Sequence, residues 1–327
     1  MKIIITFSII ALFVIACKKE NNFTTQSNNQ SNSTAAIDTV KIPIDDLGTG
    51  TFNGYVGGLY PNGLNYSTGQ YSIDLLKTCR YMVPIDTFGN PSNKGKILYI
   101  SLGWSIGGQN LRALKAKTVS NPLTNPKLLL LSFSLGAEQA RINNIMNPND
   151  SYWNYVAKVI KDSNTSFRQV QIIYLDSEDS TDNVSFPGRP LQVKRELESC
   201  FRVFKQKFPN IKLVYLLART TTFGHQHVFN TEPCPYFFGW ACKWAIEDQI
   251  NGVKGTEYKG AHAVSPMITW GFYEWATSTP RTTDGFKWTE DLMQDGLHAN
   301  PVGRDTLATR FQNFLLTDEY SKNWYLK

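Results

Sequence analysis

The chain has 327 residues, of which 42% are hydrophobic, 13% aromatic and 18% charged. That is the make-up of a folded globular protein, and it excludes disordered, collagen-like and disulfide-scaffold classes. The 33 Lys and Arg against 27 Asp and Glu leave a net charge of +6 at pH 7, spread along the chain. No basic stripe suited to phosphates is present, so no nucleic-acid partner is expected.

In chain order, residues 1–16 (MKIIITFSIIALFVIA) carry one lysine and then an apolar run. The run is too short for a stable membrane span and fits the hydrophobic region of a secretory signal. It closes on Val14-Ile15-Ala16-Cys17, the pattern of a bacterial lipobox, in which Cys17 is lipidated and becomes the new N-terminus. The expectation is a protein of a bacterial cell envelope, attached to a membrane through the Cys17 lipid and facing the periplasm or the exterior. Residues 17–41 are rich in Asn, Ser, Thr and Gln and read as a polar tether that cannot bury enough surface to offset its chain entropy. Residues 42–327 read as one domain, with no linker and no internal repeat.

Within that domain, continuous apolar runs at 96–102, 127–133, 170–175 and 211–217 read as strands buried on both faces. Helical patterns at 151–161, 191–208, 236–250 and 306–316 alternate with them. This predicts an α/β fold, a doubly wound, flavodoxin-like, mostly parallel sheet flanked by helices. Ligands of such sheets bind beyond the carboxyl ends of the strands. Ser105, Gly136, Asp176 and Arg219 all stand at or just past such ends, and Asp295-Gly296-Leu297-His298 lies near the C-terminus.

A serine hydroxyl needs a base to become a nucleophile, and the base needs an orienting group. Asp295 and His298 are three apart, so a turn can place the carboxylate on one imidazole nitrogen and leave the other for Ser105. The glycines around Ser105 allow a sharp turn, although a helix N-cap serine would also fit there. Arg219 suits a substrate contact or a structural ion pair equally. The acidic run Asp176, Glu178, Asp179, Asp182 lacks the glycine and final glutamate of a calcium loop and reads as solvated. His225 and His227 have no acidic or cysteine partner at ligand spacing, so no metal and no cofactor are expected. Cys79, Cys200, Cys234 and Cys242 fit no zinc pattern and read either as buried thiols or as disulfides of undetermined pairing. The aromatic residues at 270–275 and Trp288 read as core, with stacking on sugar rings as the alternative.

These motifs resemble the SGNH (GDSL-type) hydrolases, specifically a bacterial lipoprotein subgroup, over about residues 54–324. DGLHANPVG is similar to that family's DxxH block, Gly103-Trp104-Ser105 to its GDS block with Trp104 in place of Asp, and Leu135-Gly136-Ala137 to its glycine block. The resemblance implies Ser105 as nucleophile, His298 as base, Asp295 as its orienter, and the N–H groups of Ser105 and Gly136 as the oxyanion hole. It implies hydrolysis of an ester, an acetyl or short acyl group on a carbohydrate. The family's GxND block has no counterpart: the third strand exits into YLDSEDSTDN, where Ser177 or Asn183 would have to substitute. Two alternatives follow, a weakened or inactive module that binds glycan or envelope polymer, and an acyltransferase.

Overall fold

A computed structural model describes residues 40–136, 138–179, 185–224 and 231–327. The expected signal sequence, Cys17, most of the tether, Asp182, Asn183, His225 and His227 lie outside these residues.

The chain enters through a short helix α1 (Ile44–Leu47) and a small antiparallel pair, β1 (Thr51–Phe52) and β2 (Tyr55–Val56). Helix α2 (Gly69–Arg80) leads to β3 (Ile97–Trp104), which runs directly into α3 (Ser105–Ser120). Then follow β4 (Leu128–Leu135), α4 (Ile142–Ile145), α5 (Tyr152–Asp162), β5 (Val170–Asp176) and α6 (Gly188–Lys207). The last part comprises β6 (Leu213–Leu216), α7 (Cys234–Ile250), β7 (Met267–Trp270), α8 (Pro301–Thr317) and α9 (Lys322–Tyr325).

Strands β3 to β7 form one sheet in the order β4-β3-β5-β6-β7, every neighbouring pair parallel. This is the α/β architecture that the alternation of apolar runs predicts. The period-2 rule separates the two faces. Leu98, Ile100, Leu102, Ile173, Leu175, Val214 and Leu216 pack with α5, α6 and α7. Ile97, Tyr99, Ile172, Tyr174, Leu213 and Tyr215 pack with α2, α3, α8 and α9. Both faces are covered, which is why β3 and β5 are buried at every position and read as unbroken apolar runs.

Trp270, Phe272, Tyr273, Trp275 and Trp288 are buried in this core, so they pack the sheet and offer no face to a sugar. Cys79, Cys200, Cys234 and Cys242 are free and buried, and burial raises all four thiols above the ordinary cysteine range. No helix among the described residues is long and apolar enough to cross a membrane.

Candidate active site

Strand β3 and helix α3 meet without a loop. Gly103 has φ +109°, and a Cβ there would lie 2.0 Å from the carbonyl oxygen of Asp176 on the neighbouring strand. Trp104 is extended, and Ser105 is already the first helical residue. The serine is therefore fixed at the carboxyl edge of the sheet on an N-terminal turn, whose leading N–H groups have no intrahelical acceptor. In register, Trp104 faces Leu135 of β4, which puts exposed Gly136 at the same edge. A Cβ on Gly136 would meet nothing within 4 Å, so its surroundings are open.

The DGLHANPVG segment supplies the other two groups, and nearly every residue in it has a physical job. Met293 and Ala299 bridge antiparallel, and Gln294 N–H donates to the His298 carbonyl at 2.7 Å, so the segment closes into a tight loop. Gly296 has φ +78°, and a Cβ there would lie 1.9 Å from the Phe223 carbonyl oxygen. Only glycine fits, and its own carbonyl accepts the Phe223 N–H at 2.8 Å, which ties the loop to the exit of β6. Asn300 caps α8 by accepting the Gly303 N–H at 2.9 Å, with Pro301 in the first turn.

This loop aims Asp295 and His298 at Ser105. Asp295 Oδ2 lies 2.8 Å from His298 Nδ1, while its Oδ1 accepts the N–H groups of His298 at 2.7 Å and Leu297 at 3.0 Å. With Nδ1–H donating to the carboxylate, Nε2 is left as an acceptor, and it stands 2.9 Å from Ser105 Oγ. Partial burial pushes the Asp295 carboxyl up, but the His298 N–H, the His298 ring and the Leu297 N–H outweigh it and hold it at about 2. Asp295 is therefore an anion wherever an imidazole could act as a base. The structure thus brings Ser105, His298 and Asp295 into one hydrogen-bonded line, with Gly136 across from Ser105.

The acidic run after β5 differs from the solvated loop that its sequence predicts. Asp176, Glu178 and Asp179 are buried. Two arginines explain this: Arg189 Nη2 donates to Glu178 at 2.8 Å, Arg189 Nη1 to Asp179 at 2.9 Å, and Arg219 Nη1 to Glu178 at 2.6 Å. Arg219 is itself buried and lies over the Trp104 ring at 4.8 Å, so its ion-pair role is the one on view. Ser177 Oγ donates its proton to the Ala140 carbonyl at 2.7 Å. The strand exit that bears an amide in the family pattern therefore carries an anion–cation network here.

Asp176 stands at the strand end that the sequence marks, but it is buried, where the acidic run reads as solvated. By the alternation along β5 its side chain lies on the α3 face, under Gly107, whose absent Cβ would sit 2.7 Å from the Asp176 Cβ. Among the described residues neither carboxyl oxygen has a hydrogen-bond partner within normal geometry, and Arg219 Nε is 3.7 Å away. Burial pushes this carboxyl up to about 6 against the pull of Arg219 and of the Gly107 N–H, and the nearby Glu178 carboxylate adds to the rise. Nearby Glu274 accepts from Asn110 Nδ2 at 3.0 Å, and burial holds it well above the usual carboxylate range.

No protein-family model matches the chain, and no curated protein matches its sequence. Among solved structures, a salicylyl-acyltransferase from a tetracycline biosynthetic pathway is similar at 13% identity and a TM-score of 0.38. The similarity covers 71% of this chain and 58% of that one, so the chain spans little more than half of that neighbour's length.

Proposed function

We propose that this chain is an SGNH-like serine ester hydrolase, anchored to a bacterial envelope membrane through Cys17, that removes an acetyl or short acyl group from a carbohydrate. The observation that carries the reading is the unbroken line from Asp295 through His298 to Ser105, with spacings of 2.8 and 2.9 Å. Nε2 takes the Ser105 proton as Oγ bonds to the ester carbonyl carbon. The resulting oxyanion faces the N–H of Ser105 at the helix start and the backbone of Gly136. Nε2–H then protonates the leaving alcohol as the C–O bond breaks, and the acyl-serine is cleaved by water in the reverse sense. Asp295 holds the tautomer and stabilises the imidazolium; it does not accept the proton. If an alcohol enters in place of water, the same steps make the protein an acyltransferase.

A second reading has its own observation. Glu178, tied to Arg189 and Arg219, occupies the strand exit from which the family pattern donates an amide to the oxyanion. A retired enzyme that binds glycan or envelope polymer would be expected to lose that donor first.

One experiment separates them. Wild type should cleave short aryl esters or acetylated sugars and be labelled by a fluorophosphonate, and Ser105→Ala should lose both, with turnover down by about 10⁴-fold or more. The melting temperature should barely move, because Ser105 Oγ bonds to the partly exposed His298 ring and an alanine fits the same space. His298→Ala should cost a similar factor, since members of such a unit do not act additively. No turnover and no labelling of wild type, together with glycan affinity unaffected by Ser105→Ala, would establish the binding module instead.

A further inference from the structure

At the opposite edge of the sheet, where β6 and β7 begin, a groove of about 370 Å³ opens between the ends of α2 and α6. Four lysines line it, Lys77, Lys205, Lys212 and Lys259, against a single acid, Asp74. Asp74 is already engaged: it pairs with Lys259 and accepts the Tyr258 hydroxyl at 2.7 Å. Among the described residues no carboxylate pairs with Lys77, Lys205 or Lys212. Helix C-termini favour cations, and Lys77 and Lys205 each stand in a last turn, but that does not explain why two helices and a strand start turn lysines onto one cavity. Burial, then the charge of Lys212, lowers Lys205 below the ordinary lysine range, so like charges are held together there without an anion to relieve them.

The rest of the lining narrows the class of ligand. Tyr81, 71% exposed, presents an uncovered aromatic ring at the rim, and Ile211, Pro266 and Met267 line the groove beside it. Among the described residues no arginine lines it, and the lysines are separate point charges, not one bidentate fork. Spread charges beside an aromatic ring suit a chain of flat C–H faces bearing repeated anionic groups better than a single phosphate. We propose that this groove binds a segment of acidic polysaccharide, its carboxylate or sulfate groups neutralising Lys77, Lys205 and Lys212 while a sugar ring lies on Tyr81. The site is remote from the Ser105 edge and does not depend on that residue being a nucleophile.

The test uses the whole protein and short oligomers of polygalacturonate, with the fully methyl-esterified oligomer as the uncharged twin. Wild type should bind the acidic oligomer and not the ester, and binding should weaken as salt rises from about 50 to about 500 mM, since these lysines are near solvent. Lys205→Gln/Lys212→Gln should weaken it by about tenfold or more, worth about 1.4 kcal/mol. Tyr81→Ala, an exposed change that leaves the core intact, should weaken it several-fold without altering the salt dependence. Ser105→Ala should bind as wild type does, so a failed esterase assay leaves this result standing. Equal binding of the methyl ester, or full affinity in the double lysine variant, overturns the proposal. So does tighter binding to phosphatidylglycerol vesicles than to the oligomer, which would make the groove a membrane contact, or complete displacement by inorganic phosphate at matched charge, which would make it a single-anion site.

Discussion

At the scale of single residues, the candidate site contains two carboxyls in opposite electrostatic situations. Asp295 is held at about 2 by backbone and imidazole donors, whereas Asp176, pushed up by burial, stands at about 6. A carboxyl whose folded value exceeds its unfolded one binds its proton more tightly in the native state. The Asp176 contribution is therefore most favourable below pH 4 and is lost as pH rises through about 6. The gap from the ordinary carboxylate value corresponds to about 3 kcal/mol for this fully buried group. Asp176→Asn removes the charge at nearly constant shape. Urea unfolding should show the variant and wild type alike below about pH 4, and the variant more stable by up to about 3 kcal/mol above about pH 7. A variant less stable than wild type at high pH would mean that Arg219 needs the Asp176 charge more than the fold suffers from it. The convergence of Ser105, Asp295 and His298 was legible in the sequence because short spacings and glycine positions set it up. The buried acids were not, because what buries them is Arg189 and Arg219, the latter 41 residues from Glu178 along the chain.

At the scale of elements, the strand–helix junction is where sequence constraint and site geometry coincide. Gly103 must be glycine twice over, for its positive φ and for the approach of the Asp176 carbonyl at 2.0 Å to any added Cβ. Gly136, at the same edge, has open space and no such backbone demand. Gly103→Ala should therefore cost several kcal/mol, about 2–4, through strain and a forced separation of β3 from β5. Gly136→Ala should stay within about 0.5 kcal/mol of wild type. Denaturant midpoints of the two variants check the contrast, and equal midpoints would show that the junction relaxes freely. Four strands and four helices were readable from apolar period, with α8 beginning earlier than its pattern because Asn300 and Pro301 start it. Helix α2 opens on a glycine and α3 carries Gly107 and Gly108 in its first turn, which hid both, and the four residues of β7 were masked by the aromatic run that follows them. In each case tertiary packing, not local propensity, decides the element.

At the scale of the whole molecule, the question is what holds the protein where its chemistry is needed. A spanning helix requires about 20 apolar residues. No helix of the described residues provides that, and the apolar run ahead of Cys17 stops at two lysines. The proposed Cys17 lipid and any electrostatic contact made by exposed lysines respond differently to salt. At about 1 M salt the Debye length is about 3 Å, so exposed lysines lose their hold, whereas acyl chains keep theirs. On the proposed reading, the full-length chain expressed in a bacterium should stay with membranes through a high-salt wash. Cys17→Ser should appear in the soluble fraction, because loss of the proposed multi-chain lipid would take away most of the membrane affinity. The catalytic assay and the oligomer binding of the released protein should match wild type, as the groups responsible for both lie in the described residues beyond position 39. If Cys17→Ser still sediments with membranes after the high-salt wash, the lipid is not the anchor. If it sediments only at low salt, the remaining contact is electrostatic.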